Sequence, residues 1–72
     1  MPNRSVPVRE TPIELAQFVK FSGLAATGGD AKHAIVNRQV EVNGQIETRK
    51  GRKLQVGDTV RYRGETLIVA IR

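Results

Sequence analysis

Cysteine is absent from the chain, and histidine occurs only once, as His33. Without cysteine the protein can form neither a disulfide nor a thiolate metal site. One histidine cannot build a zinc site, so we expect no metal and no cofactor. A hydrophobic core must hold the fold unaided, which suits the reducing cytoplasm, and we expect the protein to act there.

Long hydrophobic runs and aromatic residues are both scarce. The longest apolar run covers residues 67–71, far short of the roughly 20 residues that a membrane-spanning helix needs. Residues 1–9 include Pro2 and Pro7 and no apolar stretch of signal-peptide length, so we expect neither a membrane span nor secretion. Aromatic residues make up 4% of the chain, which excludes an extended base-stacking surface. Phe18 and Phe21 are assigned to the core.

The length and the charge favour a binding module over an enzyme. A chain of 72 residues accommodates one domain and offers few walls for a deep substrate pocket. No nucleophilic residue stands beside a general base at a recognisable spacing. Glu41 and Glu47 could approach each other across a hairpin, but an exposed strand pair is a poor place to shift the pKa of a carboxyl group. We therefore expect no catalytic residue and no small-molecule substrate. The net charge of +5 predicts an anionic partner, although such a charge also serves solubility alone.

Two short helices are predicted near the N-terminus. Residues 11–14 form a capping-box pattern with proline at the first helical position, which predicts a helix over residues 12–22. A similar pattern at residues 27–30 predicts a second helix that ends near residues 37–38. The apolar stripe of the second helix includes two alanines, which would let the helices pack closely.

The rest of the chain alternates between apolar and polar residues, which predicts about four strands. For the hairpin around Asn43 and Gly44 we predict a three-residue loop that pairs Val42 with Ile46. A strict two-residue turn would leave Ile46 on the polar face. Residues 67–71 are apolar at every position, so we expect this strand to be covered on both faces.

These elements predict an α+β fold in which two short N-terminal helices pack on a small, mostly antiparallel sheet. We assign residues 11–72 to a single domain and expect it to be a monomer. Residues 1–10 are expected to form a flexible arm or an edge strand, because Pro7 cannot donate to a strand ladder.

Three groups of residues are candidates for binding an anionic partner. The first is a loop of four cations with no apolar residue: Arg49, Lys50, Arg52 and Lys53. The second lies on the second helix and just after it: Lys32, His33 and Arg38. The third is the start of that helix, where Gly28 and Gly29 leave free amides open to a phosphate oxygen, although Asp30 opposes an anion there. The competing interpretations are a solvated loop, an inert surface histidine and a flexible glycine linker.

The string of residues 27–60 resembles the S-four RNA-binding domain, a family named for small-subunit ribosomal protein four. The resemblance rests on the spacing of four segments: Thr27–Lys32, Val40–Gly44, Thr48–Lys50 and Val56–Val60. It looks closest to small stand-alone bacterial members. The resemblance implies an L-shaped motif of two helices and a hairpin, called the αL motif, which binds structured RNA through its backbone. It also implies that Lys32, His33 and the loop cations contact the RNA.

The chain departs from the family pattern at two positions. Gly28 stands where the family often has an arginine, so one expected RNA contact is missing and Lys32 replaces it only in part. Arg38 stands where a glycine is usual before the hairpin. Either Arg38 or Asn37 must therefore adopt an unusual backbone conformation.

We interpret the chain as a non-enzymatic module for structured RNA, either ribosomal or another folded RNA. Recognition would use phosphates, sugars and shape, because the deep major groove of A-form RNA hides its base edges. Two alternatives remain open. The apolar strand 67–71 could pair with a protein partner, or the chain could position RNA for an enzyme whose catalytic residues lie on another chain. The RNA interpretation requires Lys32 and residues 49–53 to lie on one face.

Overall fold

The computed structural model describes residues 4–72, which form two helices and seven short strands. The helices are α1 (Leu15–Phe21) and α2 (Gly28–Val36). In chain order the strands are β1 (Arg4–Val8), β2 (Ile13–Glu14), β3 (Val40–Val42), β4 (Gln45–Ile46), β5 (Lys53–Leu54), β6 (Thr59–Tyr62) and β7 (Glu65–Ile71). No helix in this part of the chain is long and apolar enough to cross a membrane.

Five of these strands form one sheet, in the order β1-β7-β6-β3-β4, and β2 and β5 form a separate antiparallel pair. The large sheet is antiparallel except at one edge, where β1 runs parallel to β7. The α+β class, the two helices and the mostly antiparallel sheet are therefore confirmed. The small β2–β5 pair was not foreseen, since two-residue strands leave no alternating pattern to read.

Helix α1 begins later than predicted. Its N-cap is Glu14, whose side chain and that of Gln17 form the capping box, so the predicted box over residues 11–14 is wrong. The reason is tertiary. Ile13 and Glu14 are held as a strand against β5, and the first two amides of the helix donate to carbonyls of the basic loop.

The core lies between the two helices and one face of the large sheet. Both helices bury an apolar stripe, and Ala31 and Ala34 of α2 are buried as predicted. Phe18 is fully buried, but Phe21 is 57% exposed, so its assignment to the core is wrong. The buried face of α1 is already occupied by its other apolar residues, and Phe21 lies on the outer face with Gln17.

The β3–β4 hairpin has the tight register that the sequence argument rejected. Glu41 pairs with Ile46 and Val42 pairs with Gln45, across a two-residue turn at Asn43 and Gly44. Both turn residues have positive φ, +53° and +84°, as the favoured hairpin turn requires. Turn chemistry therefore outweighs the burial of one side chain, and Ile46 remains 50% exposed.

Strand β7 lies inside the sheet, between β1 and β6. Leu67 and Val69 face the core and are buried, whereas Ile68 and Ala70 on the other face are only half-buried. The expectation that this strand is covered on both faces is therefore wrong. Because both edges of β7 are already paired, it also offers no free edge to a partner strand.

Candidate nucleic-acid interface

Glu47 is the one buried charged side chain within residues 4–72, with 7% of its surface exposed. Arg49 donates to Glu47 Oε2 from its backbone N–H at 3.0 Å and from Nε at 3.1 Å, and its Nη2 donates to Oε1 at 3.1 Å. Arg52 Nη1 donates to the same Oε1 at 2.9 Å. These bonds, with those from Arg49 the largest cause, lower the pKa of Glu47 from 4.5 to about 2.

This arrangement corrects the expectation that Glu47 is an exposed hairpin carboxylate. Its position follows from the tight register, in which the Glu47 N–H donates to the Val40 carbonyl at 3.0 Å. The sequence carried one signal, since a carboxylate two and five residues before two arginines can reach both of them. The signal can be interpreted only once the loop that carries the two arginines is known to fold back over Glu47.

Hydrogen bonds from Arg49 and Arg52 to a buried carboxylate therefore hold the basic loop. The Arg49 side chain keeps 74% of its surface exposed although it is held at Nε and Nη2. Arg52 is held at Nη1 and is more enclosed. A guanidinium fixed on one edge still presents its other N–H donors to solvent. The pair with Glu47 also raises the pKa of Arg49, which stays charged.

The two lysines of the loop differ in their surroundings. Lys53 Nζ lies 3.1 Å from Glu14 Oε2, and this exposed ion pair joins β5 to β2. Lys50 pairs with no carboxylate within residues 4–72. Between them, Gly51 borders open space and a shallow concavity lined by cations. Lys50 therefore presents a full unit of positive charge to a ligand.

Backbone hydrogen bonds attach this loop to helix α1. The Leu15 N–H donates to the Arg52 carbonyl at 2.8 Å, and the Ala16 N–H donates to the Lys50 carbonyl at 3.1 Å. The loop thus lies on the helical side of the large sheet. Its four cations are brought together there at the first turn of α1.

Lys20 connects this region to the start of α2. It lies one helical turn after Ala16, and a Cβ placed on Gly28 would sit 3.9 Å from Lys20 Cδ. Lys32 follows Gly28 by one turn on the same flank of α2. Lys20 was missed by the sequence analysis, because its approach to Gly28 depends on how the two helices pack and no local pattern reports it.

The start of α2 is capped as predicted. The Thr27 hydroxyl accepts from the Asp30 N–H at 3.0 Å, so this amide is occupied by the cap. The amides of Gly28 and Gly29 come before it, at the first two positions of the helix. Gly28 lies close to the aliphatic part of the Lys20 side chain.

His33 lies on the other flank of α2. Its Nε2 is 3.1 Å from Asn37 Nδ2, and the two residues line a polar cavity with Tyr62 and Arg63. The Arg63 guanidinium stands over the Tyr62 ring, 5.1 Å from its centroid. Lys32, one residue earlier, is also exposed but does not line this cavity.

Arg38 is exposed and has a φ of +64°, whereas Asn37 has a φ of −83°. The unusual backbone conformation expected before the hairpin therefore falls on Arg38. Asn37 instead serves as the C-cap residue of α2 and bonds to His33. Arg38 leads the chain directly into β3.

With this geometry in hand, comparison with known proteins identifies the family. A family model described as the S4 domain matches residues 6–70. The chain belongs to the S4 domain family. This confirms the resemblance to the S-four RNA-binding domain.

Two relatives of this S4 domain match most of its length. The chain is 40% identical over 57 residues to "Putative RNA-binding protein YbcJ" of Escherichia coli (strain K12), covering 79% of this chain and 81% of that protein. It is 42% identical over 52 residues to "Probable ribosome maturation protein RlbA" of Bacillus subtilis (strain 168), covering 72% and 73% respectively.

The fold agrees with a solved structure as well. The solution structure of YbcJ from E. coli superposes on this S4 domain with a TM-score of 0.67 and 36% identity, covering 97% of this chain and 87% of that one. That structure is described as revealing an αL motif involved in RNA binding.

The residues that carried the resemblance have a structural role in this S4 domain. Asn43, in the hairpin turn, accepts from the Thr59 N–H at 2.9 Å and donates to Asp58 Oδ1 at 3.2 Å. Asp58 also accepts from the Gln55 N–H at 2.8 Å. These hydrogen bonds connect the β3–β4 turn to the turn before β6. Part of the family motif therefore stabilises the contact between two turns.

Proposed function

We propose that this S4 domain is a non-enzymatic module that binds structured RNA, such as ribosomal RNA, through its sugar-phosphate backbone. It acts as a monomer in the cytoplasm. The observation that carries the proposal is that Glu47 and the first turn of α1 hold the basic loop in place through hydrogen bonds. A loop that already holds its arginines loses less conformational entropy when it binds than a mobile one does.

The proposed contact surface extends from this loop along α1 to the start of α2. Lys50 and the exposed donors of Arg49, Arg52 and Lys53 bind phosphates at one end. Lys20, Lys32 and the amides of Gly28 and Gly29 bind them at the other. His33 and Arg38 flank this surface, where they would contact RNA that wraps around α2.

The relatives support the same function. The names of YbcJ and RlbA refer to RNA binding and to ribosome maturation. The rival in which residues 67–71 pair with a protein strand receives no support, since β7 is paired on both edges.

A salt titration with selected charge variants tests the proposal. The arginines are poor choices, because Arg49→Gln or Arg52→Gln would leave Glu47 buried with fewer partners and endanger the fold. Lys32 and Lys50 are exposed and have no ion-pair partner within residues 4–72. The double variant Lys32→Gln/Lys50→Gln removes two charges from the proposed surface without this risk.

Affinity for an A-form RNA hairpin would be measured at several salt concentrations. With four to six phosphates neutralised, log affinity should fall against log salt with a slope of roughly −3 to −5, and the double variant should reduce that slope by about 1.5. Arg61→Gln is the control, because Arg61 is exposed on the sheet face away from the helices. Equal effects of the control and the double variant, or an affinity independent of salt, would contradict the proposal.

A further inference from the structure

An open groove of about 480 Å³ runs along the outer face of α1. Residues 8–10, 12 and 13 form one wall, and the outward side chains of α1 form the other. The side chains that shape it are Val8, Pro12, Ile13, Gln17, Lys20 and Phe21. Val8 belongs to the core and Lys20 to the phosphate contacts proposed above, but neither assignment accounts for the exposed Phe21 ring beside them.

Phe21 is the feature of the groove that needs an explanation. It is 57% exposed, although phenylalanine is among the residues that folding usually buries. It lies on the outer face of α1 one turn after Gln17, so no repacking within the helix would cover it. An aromatic ring with one free side is a surface on which a planar group can stack.

The charges around the groove favour an anionic occupant. Arg9 and Lys20 line it against a single carboxylate, Glu10. Lys20 also approaches Gly28, and Ile13 is paired with Leu54, which directly follows Lys53 of the basic loop. The groove therefore shares Lys20 with one end of the proposed phosphate-binding surface, and at the other end its residue Ile13 pairs with the neighbour of Lys53.

We infer that this groove binds one unpaired nucleobase of the RNA, which stacks on Phe21 while Arg9 and Lys20 contact the phosphates beside it. This inference rests on the proposed RNA-binding function and adds to it a preference for a duplex that carries an extrahelical base. An unstacked base commonly binds proteins by stacking on an aromatic side chain. Because the face offers one such ring, we expect a single base and no extended strand.

Two RNA hairpins that are identical except for one bulged adenosine provide the test. The wild-type protein should bind the bulged hairpin about 5- to 150-fold more tightly than the fully paired one, the range expected for one stacked base. Phe21→Leu should abolish this preference and leave the affinity for the paired hairpin unchanged. Phe21→Tyr, which keeps the ring, should retain the preference.

Two controls separate stacking from general loss of apolar surface. Val56→Ala alters another exposed apolar side chain, outside the groove, and should retain the preference. In proton NMR spectra the ring signals of Phe21 should move upfield when the bulged hairpin is added. Those of the buried Phe18 should stay in place and serve as the internal reference.

The outcomes also distinguish the two proposals. If the wild type binds neither hairpin, the proposed function itself fails. If it binds both equally, or if Phe21→Leu keeps the preference, RNA binding stands and the assignment of the groove to a base is wrong.

Discussion

Arg52 Nη1 donates to Glu47 Oε1 at 2.9 Å, across five residues of chain. The contact places a carboxylate beneath a loop that is otherwise cationic. One negative charge lowers the attraction of this loop for phosphate, but it holds two long side chains that would otherwise be mobile. Each immobilised side chain of this kind costs about 0.5 to 1.5 kcal/mol on binding. Holding Arg49 and Arg52 in advance therefore offsets the loss of charge.

The Glu47 cluster should contribute measurably to stability. We expect Glu47→Gln to lower the free energy of unfolding by about 1 to 3 kcal/mol, because charge-assisted hydrogen bonds are lost and an amide N–H₂ group faces guanidinium donors. Urea denaturation monitored by circular dichroism would measure this loss. Glu41→Gln, on the same hairpin but not buried, is the matched control and should change stability by less than about 0.5 kcal/mol. Equal effects would show that Glu47 is not the anchor.

Stability should depend on acid pH through the same residue. A carboxyl group whose pKa is about 2 in the folded protein and 4.5 when unfolded stabilises the fold above pH 4.5. That contribution is lost as the pH falls from 4.5 towards 2. The difference in Tm between the wild type and Glu47→Gln should therefore be constant near neutral pH and shrink across this window. A difference that stays the same down to pH 2 would contradict the lowered pKa.

Asn43 should matter for folding independently of RNA contact. Asn43→Ala removes the bonds to Thr59 and Asp58 and places alanine at a φ of +53°. Lost hydrogen bonds and a strained backbone together predict a loss of about 1 to 3 kcal/mol in chemical denaturation. Asn37→Ala removes a single exposed contact with His33 and should cost less. The prediction fails if the two substitutions destabilise equally.

Substitution to alanine tests whether RNA contacts the two glycines at the start of α2. A Cβ at Gly28 or Gly29 would meet its nearest atom at 3.9 or 3.8 Å, an ordinary contact, and neither glycine has positive φ. Gly28→Ala and Gly29→Ala should each stabilise the fold by up to about 1 kcal/mol, because the unfolded chain loses freedom. If RNA approaches these amides closely, affinity for the A-form hairpin should nevertheless fall. Greater stability with unchanged affinity would show that these two helix positions do not contact the RNA.

Two errors in the predicted fold, the register of the β3–β4 hairpin and the placement of Phe21, share one cause. The tight turn at Asn43 was rejected because it exposes Ile46, and Phe21 was placed in the core because of its spacing from Phe18. Both arguments treated apolar burial as decisive. In a chain this small the helices cover one face of the large sheet, so some apolar side chains remain outside and local turn chemistry sets the register.

The sequence by itself determined the class of fold, the second helix with its Thr27 cap, the basic loop and the family. These depend on local periodicity, turn residues and spacing, which are properties of neighbours along the chain. Only the tertiary structure decided that Glu47 lies buried beneath Arg49 and Arg52, that Lys20 approaches Gly28, and that His33 lines a cavity with Tyr62 and Arg63. Each of these depends on how the helices, the loop and the sheet pack together. Because the hydrophobic effect has no preferred direction, the sequence of one segment does not specify which other segments it packs against.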